Sequence, residues 1–146
     1  MSNVVRKIQL NDKEQWQELY KGYADFYKVE INSKIIGTVW SWLHDKNHEI
    51  NGLVYETDKN IVALAHYRRI PRPLKGNYIG FLDDLFVDPK YRGKRIAEEL
   101  INELKKISKI KRWDLIRWIT HDDNLRAKKL YDRVAQKTSW DLYELK

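Results

Sequence analysis

The apolar positions of this chain switch between a two-residue and a 3.6-residue period several times, and the switches outline a mixed fold of strands and helices. Residues 4–10 read as a first strand. Asn11 or Asp12 can then cap a helix whose apolar positions are Trp16, Leu19, Tyr20, Tyr23, Phe26 and Tyr27, a strongly aromatic stripe. A second helix is predicted over 33–44, with Ile36, Val39, Trp40 and Leu43 on one side and Gly37 as its weak point. Residues 53–57 and 61–67 form the strands of a hairpin around Asp58-Lys59-Asn60. Pro71, Pro73 and Gly76 mark a loop, and 78–87 is a strand closed by Asp88-Pro89. Ile96, Leu100, Leu104 and Ile107 then recur at helical spacing, with Ala97 and Ile101 widening the stripe. Residues 115–120 predict a fifth strand, Ala127, Leu130, Tyr131 and Val134 share one helix face, and 140–145 predict a last strand.

Within this pattern the segment "FLDDLFVDPKYRGKRIA", residues 81–97, carries the chemistry. Strict alternation puts Asp83 on the face of Ile79, Phe81, Leu85 and Val87, and Asp84 on the face of Leu82 and Phe86. Aspartate is depleted in strands and a buried carboxylate without a partner is costly, so each needs a local reason to be there. A bulge or strand end, a salt bridge to an arginine, and a functional acid are all open readings for each. Arg92 to Ile96 then opens a helix, where unpaired N–H groups and the positive end of the dipole favour an anion. Gly93 allows close approach to the main chain, and Lys90, Arg92, Lys94 and Arg95 add charge.

The same residues resemble the central motif of the GNAT (GCN5-related) N-acetyltransferases. That motif is an acidic strand, a Val-x-Pro-like turn, and Arg/Gln-x-x-Gly-x-Gly/Ala opening a helix; "LFVDPKYRGKRIAEELI" follows it, with Arg95 where the family usually has glycine. A second match is "DDNLRAKKLYDRV", with Asn124, Ala127 and Tyr131 at the family's spacing, although Tyr131 read alone is a core residue. The resemblance implies an α/β (α+β) GNAT fold: a mixed, mostly antiparallel sheet with helices on both faces, and a cleft where the fourth and fifth strands splay.

It also implies a function, acetyl-CoA-dependent transfer of an acetyl group to a primary amine. By this resemblance the backbone of Leu85, Phe86 and Val87 binds the pantetheine and polarises the thioester. Arg92, Gly93, Lys94, Arg95, Ile96 and Ala97 hold the coenzyme A pyrophosphate, and Asn124 positions the cofactor. Asp83 takes a proton from the acceptor, directly or through water, and Tyr131 gives one to the departing thiolate. Asp84 orients neighbouring groups, and Tyr23, Tyr27 and Trp40, with Trp42, can line the acceptor pocket, though each aromatic taken singly reads as core. The strand resembles the polyamine and diamine branch, and "LIRWITHDDNLRAKKLYDRV" resembles a neighbouring branch that acetylates polyamines, free amino acids or basic protein tails, so a polyamine, diamine or amino acid is the expected acceptor. The alternatives are a protein lysine or N-terminus, a non-catalytic coenzyme A-binding protein and, last, a basic nucleic-acid-binding domain.

Composition narrows these. A length of 146 residues suits one domain, 1–146, and 42% hydrophobic content with 12% aromatics argues against disorder. The net charge of +7 includes Lys105, Lys106, Lys109, Lys111 and Arg112 at the end of the long helix, where cations complement the dipole and face water; no nucleic-acid partner is expected. Without cysteine there is no disulfide, thiolate zinc site or cysteine nucleophile, so acetyl should pass directly. No run is apolar enough for a membrane span and residues 1–10 lack a signal-peptide core, so no membrane partner and a cytoplasmic location are expected. His44 and His48 share a helical spacing that could bind a metal, but with no third ligand they read as solvent-exposed histidines near a helix end; His66 and His121, with no visible partner, default to structural roles, and no metal site is expected. The resemblance adds a homodimer as the expected assembly.

Overall fold

A computed structural model describes residues 3–146 of the chain. Five strands form one sheet in sequence order: β1 (Asn3–Lys7), β2 (Asn51–Thr57), β3 (Asn60–Arg72), β4 (Asn77–Val87) and β5 (Ile116–Arg117). The first four pair antiparallel, and β5 joins β4 in parallel. Helices α1 (Lys13–Phe26) and α2 (Ser33–Leu43) lie on one face, α3 (Ile96–Lys111) lies on the other, and α4 (Leu125–Val134) follows β5.

Alternation along the strands builds two cores. Trp16 and Leu19 of α1 with Ile36, Val39 and Leu43 of α2 bury against Val54, Leu64 and Phe86. Ile96, Leu100 and Leu104 of α3 bury against Leu53, Tyr55, Val62, Ala63, Ala65 and Leu82. The hairpin between β2 and β3 turns through Asp58 and Lys59, both left-handed at φ 50° and 66°, as a two-residue turn matched to strand twist requires. Asn32 caps α2 by accepting the Ile35 N–H at 2.9 Å.

Four expectations change. Asp12 does not cap α1 with its side chain: its buried carboxylate accepts two bonds from Arg6 at 2.8 and 2.9 Å and the Gln9 N–H at 2.7 Å, tying β1 to the start of α1. β3 runs past 67 to Arg72 and pairs Pro71 with Tyr78. Proline is tolerated there because pairing with β2 ends at Tyr67, so the missing N–H falls on an unpaired edge. β5 is confined to two residues rather than 115–120. The strand expected at 140–145 is absent: those residues have no regular structure, and Trp140, Leu142, Tyr143 and Leu145 are exposed. A strand exists only when something pairs with it, and nothing among the described residues does.

Candidate active site

β4 and β5 meet only at Gly80–Ile116 and Phe81–Arg117. At that end Trp113 packs so closely over Gly80 that a Cβ would lie 2.8 Å from its ring. Beyond Phe81, β4 continues to Val87 while β5 stops, so the strands part and the backbone of 82–87 has no partner on that side among the described residues. Leu85, Phe86 and Val87 therefore border an open cleft with free N–H and C=O groups.

The two aspartates sit at a bulge. His66 faces Asp84 but Tyr67 faces Leu82, which leaves Asp83 as the extra residue on β4. Strict alternation consequently fails here. Asp83 reaches Arg68 and Asp84 reaches His66, alternate positions of β3, so both carboxylates project from the face that carries α1. Leu82, Leu85 and Val87 pack on the α3 side, and Phe86 with Asp84 on the α1 side. Arg68 Nε donates to both Asp83 oxygens, at 2.9 and 3.2 Å, so a bulge and an arginine pair together account for Asp83 in the strand.

Asp84 has a more enclosed setting. The buried His66 ring, read from sequence as a histidine without partners, has two. Trp16 Nε1–H donates to its Nε2 at 3.0 Å, which leaves the ring proton on Nδ1 to be donated to Asp84 Oδ2 at 2.8 Å. Tyr20 O–H donates to the same oxygen at 3.3 Å. Burial alone would push the Asp84 pKa up, but the hydrogen bonds from His66, Tyr23 and Tyr20 outweigh it and hold the carboxyl below its usual range. Burial, and then the Asp84 charge, drive the Tyr20 and Tyr23 phenols far above theirs, so both remain donors. His66 could have been found only from the β3–β4 register with its bulge included.

Aromatic rings wall this carboxylate. Tyr23 stacks against Tyr20 at 6.0 Å, meets Phe86 edge-on at 5.9 Å and Tyr27 at 4.9 Å, and Trp40 packs on Trp16 at 5.0 Å. Trp42 instead stacks on His48 at 4.7 Å and takes no part. Tyr131, on α4, packs against Trp118 at 5.3 Å; burial, with Tyr27 nearby, pushes its phenol up to about 12. Tyr23, Tyr27 and Tyr131 thus form a chain of phenols from the Asp84 carboxylate towards α4.

The basic loop after β4 begins with Asp88 capping a 3-10 turn, Pro89–Tyr91, through the Lys90 N–H at 3.0 Å. Gly93 is left-handed at φ 81°, with open space where a Cβ would be. Arg95, at the α3 N-cap, is left-handed at φ 61° and exposed: it takes a glycine-like backbone at a cost of roughly 1–2 kcal/mol while its side chain points to solvent. Ile96 is buried under the first turn, Ala97 is half-buried, and Lys94 lies over the Tyr91 ring at 5.3 Å. The Arg92 guanidinium rests over Phe26 and Phe86, at 5.6 and 5.9 Å. Burial and the neighbouring Arg126 both lower its pKa. Arg126 escaped the sequence reading, because nothing in its local pattern says that α4 brings it to Arg92. Two guanidinium groups beside a helix N-terminus with a left-handed glycine suit a polyphosphate ligand. Asn124 caps α4, accepting the Ala127 N–H at 3.5 Å and donating to Thr120 Oγ1 at 3.3 Å.

The chain is 27% identical to HPA3 of Saccharomyces cerevisiae, a D-amino-acid N-acetyltransferase, over 143 residues that cover 97% of this chain and 89% of that protein. Its fold is that of the ribosomal-protein-alanine N-acetyltransferase of Brucella melitensis biovar Abortus 2308, with TM-score 0.84, 22% identity and coverage of 100% and 99% of the two chains. The aminoglycoside N-acetyltransferase AAC(6')-Iy, solved with CoA, shares it at TM-score 0.84 and 16% identity, over 99% of this chain and 95% of that one. Residues 15–135 match the model of the acetyltransferase (GNAT) family, so the chain belongs to the GNAT family of N-acetyltransferases, enzymes whose acetyl donor is acetyl-CoA.

Proposed function

We propose that this enzyme acetylates a primary amine of a small molecule, an amino acid, diamine or polyamine, and that the Asp84 pocket receives the acceptor ammonium. The observation that carries this reading is the enclosed carboxylate itself. It is held as an anion by His66 and Tyr20 and walled by tyrosines, a combination that favours a compact cation. With a net charge of +7 the protein as a whole repels cations, so recognition of an amine falls to this local site. The name of the yeast relative, an amino-acid acetyltransferase, supports a small acceptor.

Acetyl-CoA, when bound, supplies a thioester carbonyl as the electrophile. The residues that would hold it are the cleft-side backbone of Leu85, Phe86 and Val87 and the loop of Arg92, Gly93, Lys94, Arg95, Ile96 and Ala97, joined by Arg126. Asn124 acts on that site by fixing the start of α4. An alkylammonium has a pKa near ~10 and must lose a proton before it can attack. Asp83, on the bulge and only partly covered by Arg68, is the base that takes it, directly or through water. Asp84, held below the usual carboxyl range by His66 and the tyrosines, stays an anion and binds rather than deprotonates. Tyr131, protonated throughout the neutral range, gives the proton from its phenol oxygen to the leaving group. The chain contains no helix long and apolar enough to cross a membrane among the described residues, and a cytoplasmic site of action and a homodimer belong to the same proposal.

Release of free thiol from acetyl-CoA, measured across spermidine, short diamines, D- and L-amino acids, lysine and a lysine-rich peptide, tests this. Saturable turnover with a small amine is expected, with the KM for that amine rising in Asp84→Asn. Turnover with the peptide alone would overturn the acceptor assignment.

A further inference from the structure

The acceptor side of the cleft holds two arginines as well as two aspartates, and acetyl transfer itself requires neither arginine. The register sets Arg68 of β3 beside Phe81 of β4, and Phe81 beside Arg117 of β5, so the three share the face that carries Asp83 and Asp84. Phe81–Arg117 is also the last pair before β4 and β5 part, which places both arginines at the inner end of the cleft. Arg68 meets Asp83 through Nε alone, at 2.9 and 3.2 Å, and its guanidinium lies over the Phe81 ring at 5.0 Å. Its two Nη groups make no hydrogen bond among the described residues, although such a fork of N–H donors suits a carboxylate. Arg117 is half-buried and forms neither an ion pair nor a side-chain hydrogen bond among them. Neighbouring strands about 4.8 Å apart set the two arginine positions roughly 10 Å apart, with the ring between them.

We propose that Arg68 and Arg117 bind a carboxylate of the acceptor, which makes the acceptor an α-amino acid rather than a diamine or polyamine. This rests on the reading that Asp84 receives the ammonium, and it supplies a site for the other end of the substrate. Charge and length both favour the match. Two arginines against two aspartates leave the site without net charge, which suits a zwitterion, whereas the second ammonium of a diamine would meet a guanidinium. His66, which holds Asp84, and Arg68 stand two residues apart on β3, about 7 Å. An α-amino acid, with one carbon between its charged groups and an ion-pair contact of about 2.8 Å at each end, bridges that interval. A carboxylate on the Arg68 Nη groups also leaves the Nε bond to Asp83 intact, so one guanidinium sets the base and the substrate side by side.

The test is thiol release from acetyl-CoA with matched acceptors: leucine, phenylalanine and lysine in both hands, their amides, and the amines left when the carboxyl is removed. The amine made from lysine is a diamine, so the same series weighs that class. The wild type should favour each acid over its amide and amine by about 100-fold in kcat/KM, the worth of a charge-assisted pair. Arg117→Gln, which leaves the Arg68–Asp83 pair in place, should raise the KM for the acid by about 10-fold with kcat little changed, and should leave the amide and the amine as they were. Equal kcat/KM for acid, amide and amine in the wild type would overturn the proposal and leave Asp84 as the ammonium site. A parallel loss with all three acceptors in Arg117→Gln would also overturn it, because a purely structural arginine moves every acceptor alike. No turnover with any member of the series would overturn this proposal and the reading beneath it together.

Discussion

The two walls of the cleft are built differently. On the sheet side, Asp84 is fixed by a histidine that is itself fixed by the fully buried Trp16, so the carboxylate is anchored to the core. On the other side, β5 has two residues, α4 has no fully buried residue, and beyond Ser108 the chain has none at all. The wall carrying Asp84 is therefore organised before any ligand arrives. The wall carrying Tyr131, Asn124 and Arg126 depends on contacts made at its surface, among them the Trp118–Tyr131 packing and the Arg133–Glu98 ion pair that ties α4 to α3. Substitutions at Asp84, His66 and Trp16 should alter acceptor binding and fold stability together, whereas those at Asp83, on the partly exposed bulge, and on the α4 side should alter turnover with little effect on the fold.

The largest expected effect sharpens that contrast. Tyr131→Phe and Asp83→Asn should each lower kcat by about 100-fold, within the range for loss of a general acid or base, with small changes in melting temperature. Steady-state thiol release and a thermal melt check both halves of the claim. If both variants retained full turnover, the assigned roles would be wrong.

Next in size is the positioning chain. Trp16→Phe removes the N–H that holds the His66 tautomer, so His66 can turn its proton away from Asp84. The KM for the amine should rise about 10-fold, the equivalent of one hydrogen bond to a charged group, while the KM for acetyl-CoA stays fixed. An equal change in both constants would mean that Trp16 matters only as packing.

Stability against pH separates the carboxylate from the phenols. Because the folded-state pKa of Asp84 is depressed, its stabilisation is complete above the ordinary carboxyl pKa of 3.8 and is lost as pH falls through the lower folded value. The acid limb of a denaturation series should flatten in Asp84→Asn. The tyrosines have the opposite sign. Tyr20, Tyr23 and Tyr131 are raised above 10.0, so their contribution is complete below that pH and is lost as pH rises towards the folded values, about 12 for Tyr131. The smallest effect is at the loop. Arg95→Gly relieves a left-handed arginine but frees the unfolded chain, so stability should shift by no more than about 1 kcal/mol in chemical denaturation.

Much of this was legible in the sequence, for local reasons. The basic turn, Gly93 and the spacing of Asn124 and Tyr131 are encoded within short windows, and the apolar stripes of α3 and of α1 as far as Tyr23 follow from their period, although Phe26 and Tyr27 at the end of the α1 stripe are exposed. The β3–β4 register was not legible. A single bulge moved Asp83 and Asp84 onto the same face and gave His66 its role, and strict alternation cannot foresee an inserted residue. Arg126 reached Arg92 through tertiary placement of α4, which no local pattern encodes. The segment 140–145 has the composition of a strand, but strands are completed by neighbours, and a single chain supplies none there.

The central claim is that a small primary amine docks at Asp84 and is acetylated. The most direct measurement is thiol release from acetyl-CoA with the small-amine panel, run in parallel on the wild type and Asp84→Asn. The account predicts turnover by the wild type, with the variant's kcat/KM for the amine lower by about 10–100-fold, the worth of a charge-assisted contact, and its KM for acetyl-CoA unchanged. Equal kcat/KM values in the two proteins, or no turnover with any small amine, would contradict it.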